Sequence, residues 1–235
     1  MKAVILAGGK GRRLAPYTTV LPKPLMPIGD MPILEVVLRQ LKRASIDEVI
    51  IAIGHLGELI RVFFGDGSRL GLPIRYVTED TPLGTVGPLA FIENLSETFL
   101  LMNGDVLTTL DYGALVAAHR AGRATATIAI HERPVHIDYG VLEVDEANRL
   151  TNFIEKPTLK YRVSMGVYAF ERSVVRHVER GRPLDFPDLV KKLLREGEPV
   201  MGYPFDGYWL DIGRPDDYAR AVEEFEARRT DFLGE

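Results

Sequence analysis

Apolar positions along the chain follow two rhythms. Short continuous runs, rich in β-branched residues, recur at Ala3-Val4-Ile5-Leu6, Glu48 to Ile53, Ile74 to Thr78, Phe99 to Met102 and Ala124 to His131. A run without polar alternation suits a strand covered on both faces. Between the runs the spacing is helical. Ile33 to Ala44 carries apolar residues at 33, 34, 37, 38 and 41, with Arg39, Gln40, Lys42 and Arg43 left for solvent. Leu59 to Phe64 predicts a short helix ended by Gly65-Asp66-Gly67, and further helices are expected over 84–95 and 112–121. Strands alternating with helices at this pitch predict an α/β fold, a Rossmann-like, mainly parallel sheet with helices on both faces.

After His131 the rhythm changes. Val141 to Val144 and Leu150 to Glu155 alternate apolar and polar residues, as antiparallel strands with one wet face do, with a turn at Asp145 to Asn148. A strand over 164–170, helices over 173–179 and 187–196, an extended stretch from Met201 to Asp211 and an amphipathic helix over 215–229 follow. Asp185-Phe186-Pro187 reads as a helix N-cap with proline near the first helical position. No linker, repeat or low-complexity stretch divides the chain. The expectation is one domain: an α/β lobe over about 1–131, an inserted antiparallel lobe over about 132–212, and a closing helix over about 214–229.

Composition narrows the classes. The 235 residues are 46% hydrophobic and 26% charged, enough for one sizeable core. A net charge of -4 disfavours non-specific nucleic-acid binding. The lack of cysteine removes disulfides and thiolate metal sites. No signal-peptide pattern or apolar run of about 20 residues is present, so a cytoplasmic protein without a membrane partner is expected. The histidines at 55, 119, 131, 136 and 177 are scattered and read as structural or exposed.

The chemistry concentrates near the N-terminus. The first strand empties into Leu6-Ala7-Gly8-Gly9-Lys10-Gly11-Arg12-Arg13-Leu14, followed by Leu21-Pro22-Lys23-Pro24-Leu25. Glycine lets backbone N–H groups approach phosphate closely, and the cations suit a polyphosphate. A P-loop is excluded because Lys10 precedes Gly11 rather than Ser or Thr, and a dinucleotide fingerprint lacks its third glycine. Asn103-Gly104-Asp105 follows the Phe99 to Met102 strand, where ligands of open α/β sheets bind. A second aspartate, Asp211, ends an extended run just before Gly213.

The motif Gly-Gly-x-Gly-x-Arg-Leu followed by Pro-Lys-Pro-Leu resembles the signature of the sugar-phosphate nucleotidyltransferases, or nucleotide-sugar pyrophosphorylases. Within them it is most similar to the mannose-1-phosphate guanylyltransferase-like branch. The resemblance implies the nucleotide-diphospho-sugar transferase fold, with a nucleotide-binding lobe over about 1–131 and the inserted lobe over about 132–212 binding the sugar. It also implies joining of a sugar 1-phosphate to an NTP, giving an NDP-sugar and pyrophosphate, with Mg²⁺ as cofactor.

The resemblance assigns Arg13 and Lys23 to the phosphates as catalytic cations. It gives Leu6, Ala7, Gly8, Gly9, Gly11, Arg12, Glu79, Pro82, Gly84 and Thr85 to the nucleotide. Asn103, Tyr139, Gly140, Glu155, Lys156 and Gly166 go to the sugar phosphate, and Asp105 and Asp211 to the metal. Met165 stands where many relatives carry a polar residue. Glu79, or Asp80 one residue on, would read the base: a carboxylate can take the two adjacent donors of guanine, which suggests GTP with a mannose-like sugar. A uridylyl- or thymidylyltransferase for a glucose- or N-acetylmuramic-acid-type sugar, and a non-catalytic nucleotide-sugar-binding regulatory subunit, stay open. The expected partners are the two small-molecule substrates, with a homo-oligomer left open.

Overall fold

The computed structural model describes residues 1–79 and 81–234. The chain opens with β1 (Lys2–Ala7), passes a small ribbon of β2 (Pro27–Ile28) and β3 (Met31–Pro32), and enters α1 (Ile33–Arg43). β4 (Glu48–Ile53), α2 (Gly57–Phe64) and β5 (Ile74–Thr78) follow, then β6 (Thr98–Asn103), β7 (Val106–Thr108) and α3 (Tyr112–Gly122). A long strand β8 (Ala126–His136), a hairpin of β9 (Val141–Val144) and β10 (Leu150–Ile154), and a longer strand β11 (Thr158–Glu171) come next. The chain closes with α4 (Phe186–Arg195), β12 (Val200–Pro204), β13 (Trp209–Asp211), α5 (Pro215–Ala227) and α6 (Arg229–Leu233).

The main sheet runs β12-β8-β11-β6-β1-β4-β5, and only β11 runs against its neighbours. β1 sits between β6 and β4, with Val4 opposite Leu101 on one side and Ile50 on the other. Its residues alternate between two cores. Ala3, Ile5 and Ala7 meet Leu34, Leu38, Leu41 and Phe64 of α1 and α2, whereas Val4 meets Leu89, Phe170, Leu189 and Leu193 on the opposite face. Each such fully buried aliphatic or aromatic side chain contributes about 1.5–3 kcal/mol of transfer free energy. That double burial is why these strands read as unbroken apolar runs. A third core gathers Leu14, Met26, Ile28, Leu107, Ile212, Phe225 and Phe232, and so fastens α5 and α6 over the loops at one end of the sheet. Among the described residues no helix is long and apolar enough to cross a membrane.

Two expected helices are absent. The stretch 84–95 forms only a 3-10 turn at Gly87–Phe91. Its buried positions Val86, Leu89, Ile92 and Leu95 recur every third residue, the period of a 3-10 helix rather than an α-helix. The Leu184 carbonyl accepts from Val86 N at 3.0 Å and holds the turn in place. The stretch 173–179 is likewise a 3-10 turn, Arg172–His177. The segment after residue 131 divides between two places. β11 and β12 join the main sheet, while β9, β10 and the outer halves of β8 and β11 project as exposed ribbons.

One buried group makes stability depend on pH. His119 is fully buried on α3, 2.8 Å from Thr127 Oγ1 and 3.1 Å from Glu171 Oε1. Burial is the dominant effect and lowers its pKa below the ordinary value, against the opposing pull of Glu171. The folded state therefore binds its proton less readily than the unfolded chain. Its contribution is complete above the unfolded pKa of about 6.5 and is lost as pH falls toward the folded value. Denaturation midpoints measured from pH 7.5 down to 5 are expected to fall, by at most about 1.4 kcal/mol per pH unit from this group. The slope should flatten in His119→Gln; an unchanged slope would show that another group is responsible.

Candidate active site

The strand order reverses at β1. The chain goes outward from β1 to β4 and β5, then returns to lay β6 on the other side of β1. The loops leaving β1 and β6 diverge there and open a crevice beyond their carboxyl ends. The loop after β1 is Gly8 to Leu14, and the loop after β6 is Gly104-Asp105. They meet through a hydrogen bond from Gly104 N to Leu6 O of 3.1 Å.

Close approach sets the glycines of this crevice. A Cβ on Gly54, just after β4, would lie 2.9 Å from Gly8 O, so the backbone there can touch the β1 loop only with glycine at position 54. Gly11 has φ +59°, and Thr18 Oγ1 donates to its carbonyl at 2.8 Å. Pro22 and Pro24 hold Lys23 in a 3-10 turn, where Leu25 N donates to Pro22 O at 2.8 Å. The turn aims the buried Lys23 ammonium at the Asp105 carboxylate, with which it forms an ion pair.

A cavity of about 790 Å³ occupies this crevice. Its walls include Leu6, Ala7, Gly8, Gly9, Gly11, Arg12, Arg13, Lys23, Glu79, Pro82, Gly84, Thr85, Asn103 and Asp105. The nucleotide and phosphate residues expected from the sequence thus converge, together with Lys10, His55 and Gly213. Glu79 is half-buried. Its Oε2 accepts from Leu83 N at 2.9 Å, and its Oε1 lies 3.0 Å from where a Cβ on Gly8 would stand. Burial raises the Glu79 pKa and outweighs the Leu83 N–H, which favours the charged form. Asp80 lies outside the described residues.

A second cavity of about 810 Å³ adjoins the first and shares Leu6, Thr85, Asn103 and Asp185 with it. Gly166, at φ +73°, leaves room for Asn103, whose Nδ2 would be 2.6 Å from any Cβ there. Trp209 donates its Nε1–H to the Met165 carbonyl at 3.0 Å and still faces this cavity. The buried Met165 side chain lines the same wall. Asp211 ends β13, opposite Val106 of β7, which follows Asp105 directly. Its pKa is raised, first by burial and then by the Asp105 charge, against Lys23 and Arg13, which lower it. Two carboxylates thus repel one another where the cavities meet.

Four expected sugar residues stand elsewhere. Tyr139, Gly140, Glu155 and Lys156 lie at the base of the β9–β10 hairpin, exposed, and line neither cavity. They cluster with one another: a Cβ on Gly140 would lie 3.2 Å from Glu155 Oε2. Asp185 differs from its sequence reading in another way. It precedes α4 with Pro187 in the first turn, but its side chain does not cap that helix. Its Oδ1 accepts from Thr85 N at 3.0 Å, which ties α4 to the rim of both cavities. Arg133 and Lys191 also line the second cavity. Nothing local in the sequence marks any of these three, because their neighbours come from distant segments.

Comparison with known proteins agrees with this geometry. A family model described as nucleotidyl transferase matches residues 2–228. A Mycobacterium tuberculosis protein named mannose-1-phosphate guanylyltransferase is 37% identical over 226 residues, covering 93% of this chain and 62% of that protein. A Synechocystis protein named UTP–glucose-1-phosphate uridylyltransferase is 35% identical over 242 residues, covering 94% of this chain and 62% of that protein. The chain thus spans less than two thirds of each of these relatives. The crystal structure of HddC from Yersinia pseudotuberculosis shares the fold, with a TM-score of 0.73 at 24% identity over 95% of this chain and 99% of that one.

Proposed function

This chain belongs to the nucleotidyl transferase family, and from that premise we propose that it joins a sugar 1-phosphate to a nucleoside triphosphate, releasing pyrophosphate. A phosphate oxygen of the sugar attacks the α-phosphorus, and the bond to the pyrophosphate oxygen breaks. The attacking group is already an anion, so no strong general base is needed. Alignment and charge neutralisation carry the catalysis. The observation that carries this reading is the pair of adjoining cavities. The first offers glycine backbone and the cations Arg12, Arg13 and Lys23 to a triphosphate. The second has room for a sugar, and the Asp105 and Asp211 carboxylates lie where the two spaces meet.

Asp105 and Asp211 would hold Mg²⁺. Mg²⁺ takes one or two carboxylates and fills its shell with phosphate oxygens and water. Burial first and then the Asp105 charge raise the Asp211 pKa, and a partly buried pair of carboxylates fits a site meant for a divalent cation. When bound, the ion would neutralise charge on the phosphates. Lys23, already paired with Asp105, holds that carboxylate in place and would face the nucleotide phosphates.

The base is assigned through Glu79. Relatives at 37% and 35% identity carry names that divide between guanylyl and uridylyl transfer, so overall similarity does not choose. An ionised carboxylate only accepts hydrogen bonds, which matches the adjacent donors of guanine and opposes a uracil carbonyl. Oε2 already accepts from Leu83 N, so it would share a lone pair, while Oε1 faces the Gly8 loop. GTP is expected to exceed UTP and dTTP in kcat/KM by about 10²-fold with a mannose-like sugar 1-phosphate. Pyrophosphate release from a matrix of triphosphates and sugar 1-phosphates measures this, and Glu79→Gln should erode the preference. Equal use of GTP and UTP by the unmodified protein would remove the base assignment. Failure of every pair to release pyrophosphate would remove the transferase reading.

A further inference from the structure

The second cavity changes character along its length. At the rim it shares with the first it presents Asn103 and Asp185. Its middle is lined by Ile128, Tyr168, Phe186 and Trp209, and the Tyr168 and Phe186 rings stack with centroids 3.8 Å apart. Arg133 from β8 and Lys191 from α4 also line it, and neither lines the first cavity. Ile128 pairs with Tyr168 in the main sheet, whereas Arg133 pairs with Tyr161 on the projecting ribbon. A strand rise of about 3.3 Å per residue puts Arg133 roughly 16 Å along β8 from Ile128. β8 lies three strands from β1 in the sheet, so the arginine stands on the side of the cavity away from the glycine loop.

Charge around Arg133 is arranged to leave it available. Its side chain makes no hydrogen bond or ion pair among the described residues. The neighbouring carboxylate, Glu132, is held instead by Lys160 at 2.8 Å. Asp185 accepts from Thr85 N, and Asp211 ends β13 opposite Val106 of β7. Lys191 has a partner, Asp188 at 3.2 Å, but that pair is exposed and weak. Arg12 and Arg13, the other arginines that line these cavities, make no side-chain hydrogen bond or ion pair among the described residues, but they face the expected triphosphate, and Arg13 also acts electrostatically on Asp211. An unpaired guanidinium in a cleft is suited to a planar carboxylate or a phosphate, which it can bind through two parallel N–H bonds.

We propose that the sugar acceptor carries an anionic group, a carboxylate or a second phosphate, at the end remote from its 1-phosphate, and that Arg133 assisted by Lys191 receives it. This inference rests on the transferase reading above. It makes Arg133 a specificity residue for a bisanionic acceptor, with the apolar middle of the cavity covering the sugar ring.

The test compares three acceptors: a hexose 1-phosphate, the hexuronic acid 1-phosphate and the hexose 1,6-bisphosphate. Each is assayed for pyrophosphate release with the unmodified protein, Arg133→Gln, Arg133→Lys and Lys191→Gln. One or both acceptors with the second anionic group should exceed the plain hexose 1-phosphate in kcat/KM by about tenfold or more, and Arg133→Gln should abolish that advantage. Use of the plain hexose 1-phosphate should change less than about twofold, and Arg133→Lys should restore part of the selectivity. Which acceptor wins separates a carboxylate from a phosphate. Preference for the plain hexose 1-phosphate, or an equal loss on all three in Arg133→Gln, overturns the inference. Ligand-induced thermal shifts on the same proteins supply an arm without turnover. If nothing is turned over, the transferase reading fails, and the inference stands or falls on whether the shift favours the acceptors with the second anionic group and depends on Arg133.

Discussion

Asp211→Asn is expected to lower kcat by about 10³-fold and to leave the thermal midpoint at pH 7 unchanged or higher. The two halves of this result have one origin. Burial and the Asp105 charge raise the Asp211 pKa above its ordinary value. A carboxylate with a raised folded pKa binds its proton more readily in the folded state, so its ionisation at pH 7 opposes folding. Asparagine removes that opposition while keeping the shape. It also removes one of the two carboxylates proposed to hold Mg²⁺, and turnover should fall accordingly. Asp105→Asn should lower turnover similarly but behave differently toward heat. Asp105 is the partner of Lys23, whose side chain is 11% exposed. Without that carboxylate the ammonium is left nearly buried and uncompensated. The cost is on the order of 2 kcal/mol, less than the roughly 3–5 kcal/mol of a fully buried pair. Paired melting curves and steady-state kinetics of the two variants, with and without EDTA, check both statements. Full activity of both variants in EDTA would remove the metal assignment, and equal destabilisation would remove the asymmetry.

Arg13→Ala should reduce kcat by about 10²–10³-fold with a smaller change in KM for the triphosphate. Arg13 lies in the glycine loop, lines the first cavity and packs its guanidinium over Gly213, where a Cβ would sit 3.2 Å from Nη1. Gly213 N in turn donates to the Asp211 carbonyl at 2.9 Å, so the arginine and the aspartate are held by one short segment. Negative charge grows on the leaving pyrophosphate in the transition state, and an interaction that strengthens there raises kcat rather than ground-state affinity. Lysine keeps the charge but not the fork, and Arg13→Lys should recover only part of the rate. Steady-state kinetics with varied triphosphate separates the effects. A variant with unchanged kcat and a raised KM would mean that Arg13 binds substrate and transition state alike.

Local chemistry alone determined the centre of this molecule. Strands buried on both faces must be apolar at every position, so Val4, Ile50 and Leu101 announce the parallel sheet wherever the chain places them. The glycine loop is legible for a similar reason. The contact of Gly54 with the Gly8 carbonyl, and the positive φ of Gly11, demand glycine at 54 and 11 whatever lies beyond. Interactions between distant segments decided the remainder. Nothing around Lys23 foretells a carboxylate 82 positions away, yet their pairing makes one of two similar aspartates structural as well as catalytic in expectation. Asp185 has the local context of a helix cap, but Thr85 N offers its side chain a better-placed donor. The stretch 84–95 carries enough apolar residues for an α-helix, and its period of three became decisive only against the Leu184 carbonyl. Tyr139, Gly140, Glu155 and Lys156 form the group their motifs suggest, but the ribbon that carries them sets it outside the cavities. Arg133 reads locally as one more surface cation. Only the reach of β8 past the main sheet, together with the capture of Glu132 by Lys160, gives it an unpaired place in a cavity wall.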